Sequence, residues 1–170
     1  MESVGLKQGT VKLVPYDAAW PKIYATEEKL VLSEIGRDIL DIQHVGSTAV
    51  PGMIAKPIID IAVMLEDIEA AVSFTRQLEN IGYHYASRRS KPERVLFIKG
   101  CDDSQTVYLQ FLEKEAFRVR KVKFRDILIN DKSVAEDYCR LKQELADKYR
   151  DDRYSYSAAK EEFIDRVVGA

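Results

Sequence analysis

The nine residues Pro57-Ile58-Ile59-Asp60-Ile61-Ala62-Val63-Met64-Leu65 constrain the fold more than any other stretch of the chain. They have the length of a strand, are rich in β-branched side chains and show no polar alternation, so both faces of the strand must be covered by protein. A strand of this kind belongs inside a sheet with helices packed on it. Its one interruption, Asp60, is the informative residue. A carboxylate in an apolar strand is costly unless it is paired, hydrogen-bonded or bound to a metal.

The flanking pattern supplies the covering helices. A helix is predicted from the N-cap candidate Asp17 to Ile35, with Trp20, Ile23, Tyr24, Leu30, Val31 and Ile35 near helical spacing, Pro21 in its first turn and Gly36 as its stop. A strand at about 39–45 follows and ends in the polar turn Gly46-Ser47-Thr48-Ala49-Val50-Pro51-Gly52. After the central run, Asp67 caps a helix that carries Ile68, Val72, Leu78 and Ile81 and closes at Gly82. Strands are expected at 83–87, 95–99 and 106–112. Three helices come last: one at 115–129, one opening at the capping box Ser133-Val134-Ala135-Glu136, and one at 155–168. The prediction is a single α+β domain over 1–170, a mixed sheet flanked by helices, with a core to about residue 112 and a C-terminal helical subdomain over 113–170.

Composition narrows the function classes. With 26 basic and 28 acidic residues the net charge is -2, which argues against nonspecific binding to nucleic acid or to an anionic membrane. The N-terminal residues Met1 to Lys7 contain no apolar leader core, no stretch approaches 18 apolar residues, and Cys101 and Cys139 have neither metal-site nor disulfide-motif spacing. The expectation is a cytoplasmic protein with two reduced thiols. The charge is uneven, however. Residues 88–99 carry a net of +4 and residues 114–125 a net of +5, against -5 over 1–87. Folded onto one wall of a cleft, the two windows would attract phosphate. On separate sides of the molecule they are solvated faces, the commoner fate of a charge run.

The segment from Gln43 to Ile61 has the character of a site. A strand runs into Gly46-Ser47-Thr48, whose backbone and hydroxyls suit an anion, and Asp60 follows a dozen residues later. Neither common phosphate motif is present: Pro51 stands where a P-loop needs its second glycine, no lysine follows Gly52, and there is no G-x-G-x-x-G. Nor does Ser47 have the surroundings of an acyl-transfer nucleophile. On residue chemistry alone, a tight loop with Asp60 satisfied by Lys56 or by backbone stands level with a phosphate site. His44, Trp20 and Phe124 read as core residues rather than as proton carrier or base platforms.

The run His44-Val45-Gly46-Ser47-Thr48-Ala49-Val50-Pro51-Gly52, followed by Ala55-Lys56-Pro57-Ile58-Ile59-Asp60-Ile61, closely resembles the GrpB family. Pro15-Tyr16-Asp17 with Trp20, the strand from Arg94 to Lys99, Phe124-Arg125-Asp126 with Leu128, and Tyr156 with Lys160 extend the resemblance from about Val11 to Val168. It implies a nucleotidyltransferase-like fold, in which Gly-Ser ends one strand and a paired Asp-x-Asp or Asp-x-Glu lies on the next. Related domains occur fused to dephospho-CoA kinases, but without a P-loop no kinase activity is expected.

What the resemblance implies for function is binding of a nucleoside triphosphate or related phosphorylated small molecule, with Mg²⁺-dependent nucleotidyl transfer as the enzymatic form. Asp60 would hold the metal, and Asp60 and Ser47 would be the catalytic residues. Gly46, Ser47, Thr48, Lys56, Arg94, Lys99, Arg125 and Lys160 would contact the phosphates. Lys56 has a second role open to it, neutralising Asp60. The chain also departs from the pattern. Ala62 stands where the second carboxylate of Asp-x-Asp would be, and Tyr108 and Gln110 stand where many relatives carry histidines, with Glu113 the one acid nearby. The alternative is a noncatalytic nucleotide- or protein-binding accessory module with a degenerate metal site.

Overall fold

The computed structural model describes residues 3–169. Five strands, β1 (Asp41–Val45), β2 (Ile59–Met64), β3 (Tyr83–Tyr85), β4 (Arg94–Cys101) and β5 (Ser104–Leu112), form one mixed sheet in the order β1-β2-β5-β4-β3. β2 pairs antiparallel with β1 and parallel with β5, so the apolar run is interior, as its composition requires. This is the α+β arrangement of a mixed sheet with flanking helices that the sequence predicts.

Strand alternation decides what each face carries. Ile59, Ile61 and Val63 of β2, Val95 and Phe97 of β4, and Val107, Leu109 and Phe111 of β5 point to one side. There they meet Trp20, Val31 and Ile35 of α1 (Trp20–Ile35), and Phe74 and Leu78 from the segment before β3. Asp60, Leu96, Tyr108 and Gln110 occupy the opposite parity, and all four line one cavity. On that side the C-terminal helices cover the sheet. These are α3 (Phe124–Asn130), α4 (Lys132–Lys148), α5 (Arg153–Ala158) and α6 (Glu161–Val168); α3, α4 and α6 build a smaller apolar cluster around Phe124, Leu128, Tyr138 and Phe163, which also takes in Val50 and Met53 from the turn after β1.

Four elements differ from the sequence prediction, among them the last helix, expected unbroken over 155–168, which is α5 and α6 with a break at Ala159 and Lys160. The segment after Asp67 is a 3₁₀ turn over Ile68–Phe74 before α2 (Thr75–Asn80), although Asp67 caps it as expected by accepting from the Glu69 N–H at 2.9 Å. The helix predicted at 115–129 begins as a π-helix, Ala116–Lys123, and continues as α3. α4 starts at Lys132 because Asp131, as strong a cap as Ser133, accepts from the Val134 N–H at 3.1 Å.

Candidate functional site

β1 and β2 are paired so that Val45 lies opposite Asp60, and the turn leaving β1 therefore passes directly over the acid. Gly46 makes that turn at φ +71°, in the left-handed region where a side chain is strained. A Cβ at Gly46 would also lie 3.0 Å from Asp60 Oδ2, so the position requires glycine twice over. Ser47 and Thr48 follow in a single 3₁₀ turn. Thr48 is buried and its hydroxyl lies 3.0 Å from His44 Nε2, while the His44 ring stacks on Tyr24 at a centroid distance of 4.8 Å. Burial, with help from the Arg125 charge, lowers the His44 pKa to about 4, so at neutral pH it is the uncharged packing residue the sequence suggests.

Above this floor, α4 contributes a residue that the sequence analysis passed over. Lys142 is 1% exposed, and its ammonium donates to Ser47 Oγ at 3.0 Å and to the Ile54 carbonyl. It clamps the Gly46–Thr48 turn onto the C-terminal helices. Its position four residues after Tyr138 on an apolar stripe is the signal that places it inside. With no carboxylate beside it, desolvation drops its pKa to about 7.

Between the sheet and the helices lies a cavity of about 580 Å³. Its floor is Asp60, Tyr108, Gln110 and Leu96, one rim is Gly46 to Thr48, and the far wall is Tyr138, Tyr156 and Lys160. The walls carry ten basic side chains (Lys56, Arg88, Arg89, Lys91, Arg94, Arg120, Lys121, Lys142, Arg153 and Lys160) against four acidic ones (Asp60, Asp151, Asp152 and Glu161). That is a formal excess of six positive charges on a chain whose net charge is -2. Desolvation lowers Lys56 to about 7, with the neighbouring Lys160 adding to the effect and Asp60 opposing it. Lys160 falls to about 8 for the same first reason, again opposed by Asp60. Lys121, carried by the π-helix, shifts the same way. Tyr156 lies beneath both Lys56 and Lys160, with ring centroid distances of 5.5 and 4.3 Å.

Not all of these cations are free to meet a ligand. Arg153 is committed to the fold, donating to the Thr10 and Lys7 carbonyls, to Gln105 Oε1 at 3.0 Å and to the Tyr108 hydroxyl. Arg120 pairs with Glu161 and Asp165, so it is engaged rather than solvated. Among the described residues Lys56, Arg89, Arg94, Lys121 and Lys160 have no carboxylate within 4.0 Å. Arg94 donates from Nη2 to the Arg89 carbonyl at 2.8 Å, while its buried Nε has no partner.

Of the residues expected to contact phosphate, Gly46, Ser47, Thr48, Lys56, Arg94 and Lys160 come together at this cavity. Lys99 and Arg125 do not. Lys99 has the parity of Val95 and Phe97, so its ammonium reaches the α1 side and sits 2.9 Å from both oxygens of Glu27. Arg125 donates to Gln43 Oε1 at 3.0 Å and to the His44 carbonyl at 2.8 Å, fastening α3 to β1.

The expected metal role of Asp60 does not fit its surroundings. Its Oδ1 accepts from Gln110 Nε2 at 2.8 Å. The residue two along the strand is Ala62, and the positions facing Asp60 and Ala62 across β5 are Tyr108 and Gln110. Glu113 does not line the cavity. Among the described residues no three His, Cys, Asp or Glu side chains are grouped to hold a metal.

The family model for GrpB protein matches residues 10–169. The chain is 32% identical over 170 residues to the glutamate-rich protein GrpB of Alkalihalophilus pseudofirmus, covering 97% of this chain and 98% of that one. It superposes on the crystal structure of conserved protein GrpB from Enterococcus faecalis with a TM-score of 0.81 at 28% identity, over 93% and 95% of the two chains. A fainter likeness, 13% identical with a TM-score of 0.44, is to Cid1 in complex with the UTP analogue UMPNPP and is too slight to argue from.

Proposed function

This chain belongs to the GrpB family, and we propose that it binds a nucleoside triphosphate or related phosphorylated small molecule in the cavity between its sheet and its C-terminal helices. The observation that carries the reading is the excess of basic over acidic side chains on the walls of one 580 Å³ cavity, several of them held without carboxylate partners. Unpaired cations kept close together at a cost in hydration are what a polyanion repays. The volume is that of a small-molecule site. Lys56, Arg94, Lys121 and Lys160 hold phosphate oxygens in this reading, the Gly46–Thr48 turn lets backbone approach them, and Tyr154, 80% exposed at the mouth, offers a face to a base.

The reading is a binding function first, in a cytoplasmic protein. Nucleotidyl transfer is the second reading, and the placement of Ser47 beside Asp60 is what favours it. Incubation with labelled nucleotides, divalent metal and a cell extract separates the two. Transfer yields a labelled acceptor that Asp60→Asn abolishes, whereas binding alone yields a calorimetric signal with no labelled product. Absence of any calorimetric signal with all four nucleoside triphosphates would sink both.

A further inference from the structure

We propose that this cavity takes its phosphorylated ligand free of divalent metal, with lysine and arginine side chains standing where a metal ion would otherwise neutralise the phosphates. The inference rests on the phosphate-binding reading above and specifies the form in which the ligand enters.

Three observations support it, beginning with the donor set. Mg²⁺ needs oxygen ligands in near-octahedral array and is ordinarily held by one or two carboxylates together with the substrate's phosphates. The sheet positions around Asp60 on its own face lack a carboxylate: Ala62 along β2, Val45 across β1, and Tyr108 and Gln110 across β5. One Asp60 oxygen is already engaged by the Gln110 amide. Two of the three remaining wall acids are engaged, and the third, Asp151, is an exposed residue. Asp152 caps α5, accepting from the Ser155 N–H and hydroxyl at 3.0 and 2.6 Å, and Glu161 pairs with Arg120.

The second observation is the field at the acid. Lys56, Lys121, Lys160 and Arg94 all lie close enough to Asp60 for its charge to favour their protonated forms. A dication placed there meets several like charges and a single negative one, whereas a phosphate chain meets several opposite charges and a single like one.

The third is Arg94 Nε, a buried donor without an acceptor. Buried donors in folded proteins nearly always have partners. A metal ion cannot accept a hydrogen bond, but a phosphate oxygen can. In this arrangement Asp60 does not bind metal. Its single charge helps keep the surrounding lysines protonated.

The test is calorimetric titration of the full chain with inorganic triphosphate at pH 6, once in EDTA and once in excess MgCl₂, for the wild type and for Asp60→Asn. Thermal melting verifies that both proteins are folded. The expected result is binding in EDTA that Mg²⁺ weakens, because the metal neutralises the ligand's charge before it enters. Asp60→Asn keeps a side chain able to accept from Gln110 and removes the one central negative charge. Its affinity in EDTA should rise by about two- to tenfold. Binding that requires Mg²⁺ and is lost in Asp60→Asn would establish a metal centre and overturn the inference while leaving phosphate binding intact. No binding by the wild type in either buffer would overturn the phosphate reading itself, and the inference with it.

Discussion

The clearest test of how the sheet sorts its charges is Lys99→Met. Lys99 and Arg94 lie on the same strand five residues apart, and the odd spacing sends them to opposite faces. The Lys99 ammonium sits 2.9 Å from both carboxylate oxygens of Glu27, with side-chain exposures of 25% and 11%, and the Tyr83 hydroxyl donates to the same carboxylate at 2.8 Å. Methionine preserves the packing but leaves Glu27 charged and mostly buried with one neutral partner. Removing one member of a buried pair costs about 3–5 kcal/mol, and the partial exposure of Lys99 points to the lower end, about 3 kcal/mol. Unfolding entropy of about 2.1 cal/mol/K per residue gives a chain of this length about 0.36 kcal/mol per degree, so the midpoint should fall by about 8 °C. Adding Glu27→Gln removes the stranded charge while keeping an acceptor for Tyr83, and should recover most of the loss. Differential scanning calorimetry on the three proteins, with triphosphate titrations alongside, decides the matter. A Lys99→Met protein that melts within about 2 °C of the wild type and binds triphosphate more weakly would show that Lys99 faces the ligand, and the face assignment would be wrong.

Arg94→Ala and Lys160→Ala should each weaken triphosphate binding about ten- to a hundredfold, because a charge-assisted contact is worth about 1.5–3 kcal/mol; Lys132→Ala, whose side chain is 91% exposed, should leave it unchanged by the same calorimetry. Affinity should fall as pH rises through 7 to 8, where Lys56 and Lys160 lose their protons. The ligand-free protein should gain stability over the same range and up toward the ordinary lysine value of 10.5, since the unfolded chain there binds more protons than the folded one; melting points at pH 6, 7.5 and 9 measure the sign. Gly46→Ala should destabilise by about 1–3 kcal/mol, being strained at φ +71° and pressed against Asp60, and this can be read from urea unfolding.

Much of the fold was legible because it follows from periodicity. The apolar run from Pro57 to Leu65 had to be an interior strand, and its acid had to emerge on one face; pairing of Val45 with Asp60 brings the Gly46 turn over that acid, a placement that only the family resemblance implied. The basic windows were legible only as windows. From 88–99, Arg88, Arg89, Lys91 and Arg94 reach the cavity, but from 114–125 only Arg120 and Lys121 do. Arg125 could not be sorted locally, since its partners Gln43 and the His44 carbonyl lie more than 80 residues away in sequence and are met only once α3 has docked on β1. Lys99 could have been sorted by parity alone. Lys142 was hidden by its charge: lysine is almost never fully buried, so a lysine on an apolar stripe reads as a surface residue whose stem packs inward.

Several departures from ordinary folding rules lie close together. A glycine held at positive φ against a carboxylate, an arginine Nε left without an acceptor, a buried lysine on a serine hydroxyl, and a π-helical segment that carries Lys121 all border the same cavity. Each costs stability by itself, and the lowered lysine pKa values show that the cations are held together against their own repulsion and dehydration. Elsewhere the described charges behave conventionally: Lys99 meets Glu27, Arg125 meets Asp126, and Arg140 meets Asp137. Local inconsistencies that gather around a cavity are where function is expected to maintain them. Three of the four here involve cations, so an anion relieves the lysine strain at once. A ligand that does so stabilises the folded state in proportion to the logarithm of its concentration over its dissociation constant. The largest melting-point rise should therefore come from the ligand that places the most negative charge among Lys56, Lys121 and Lys160.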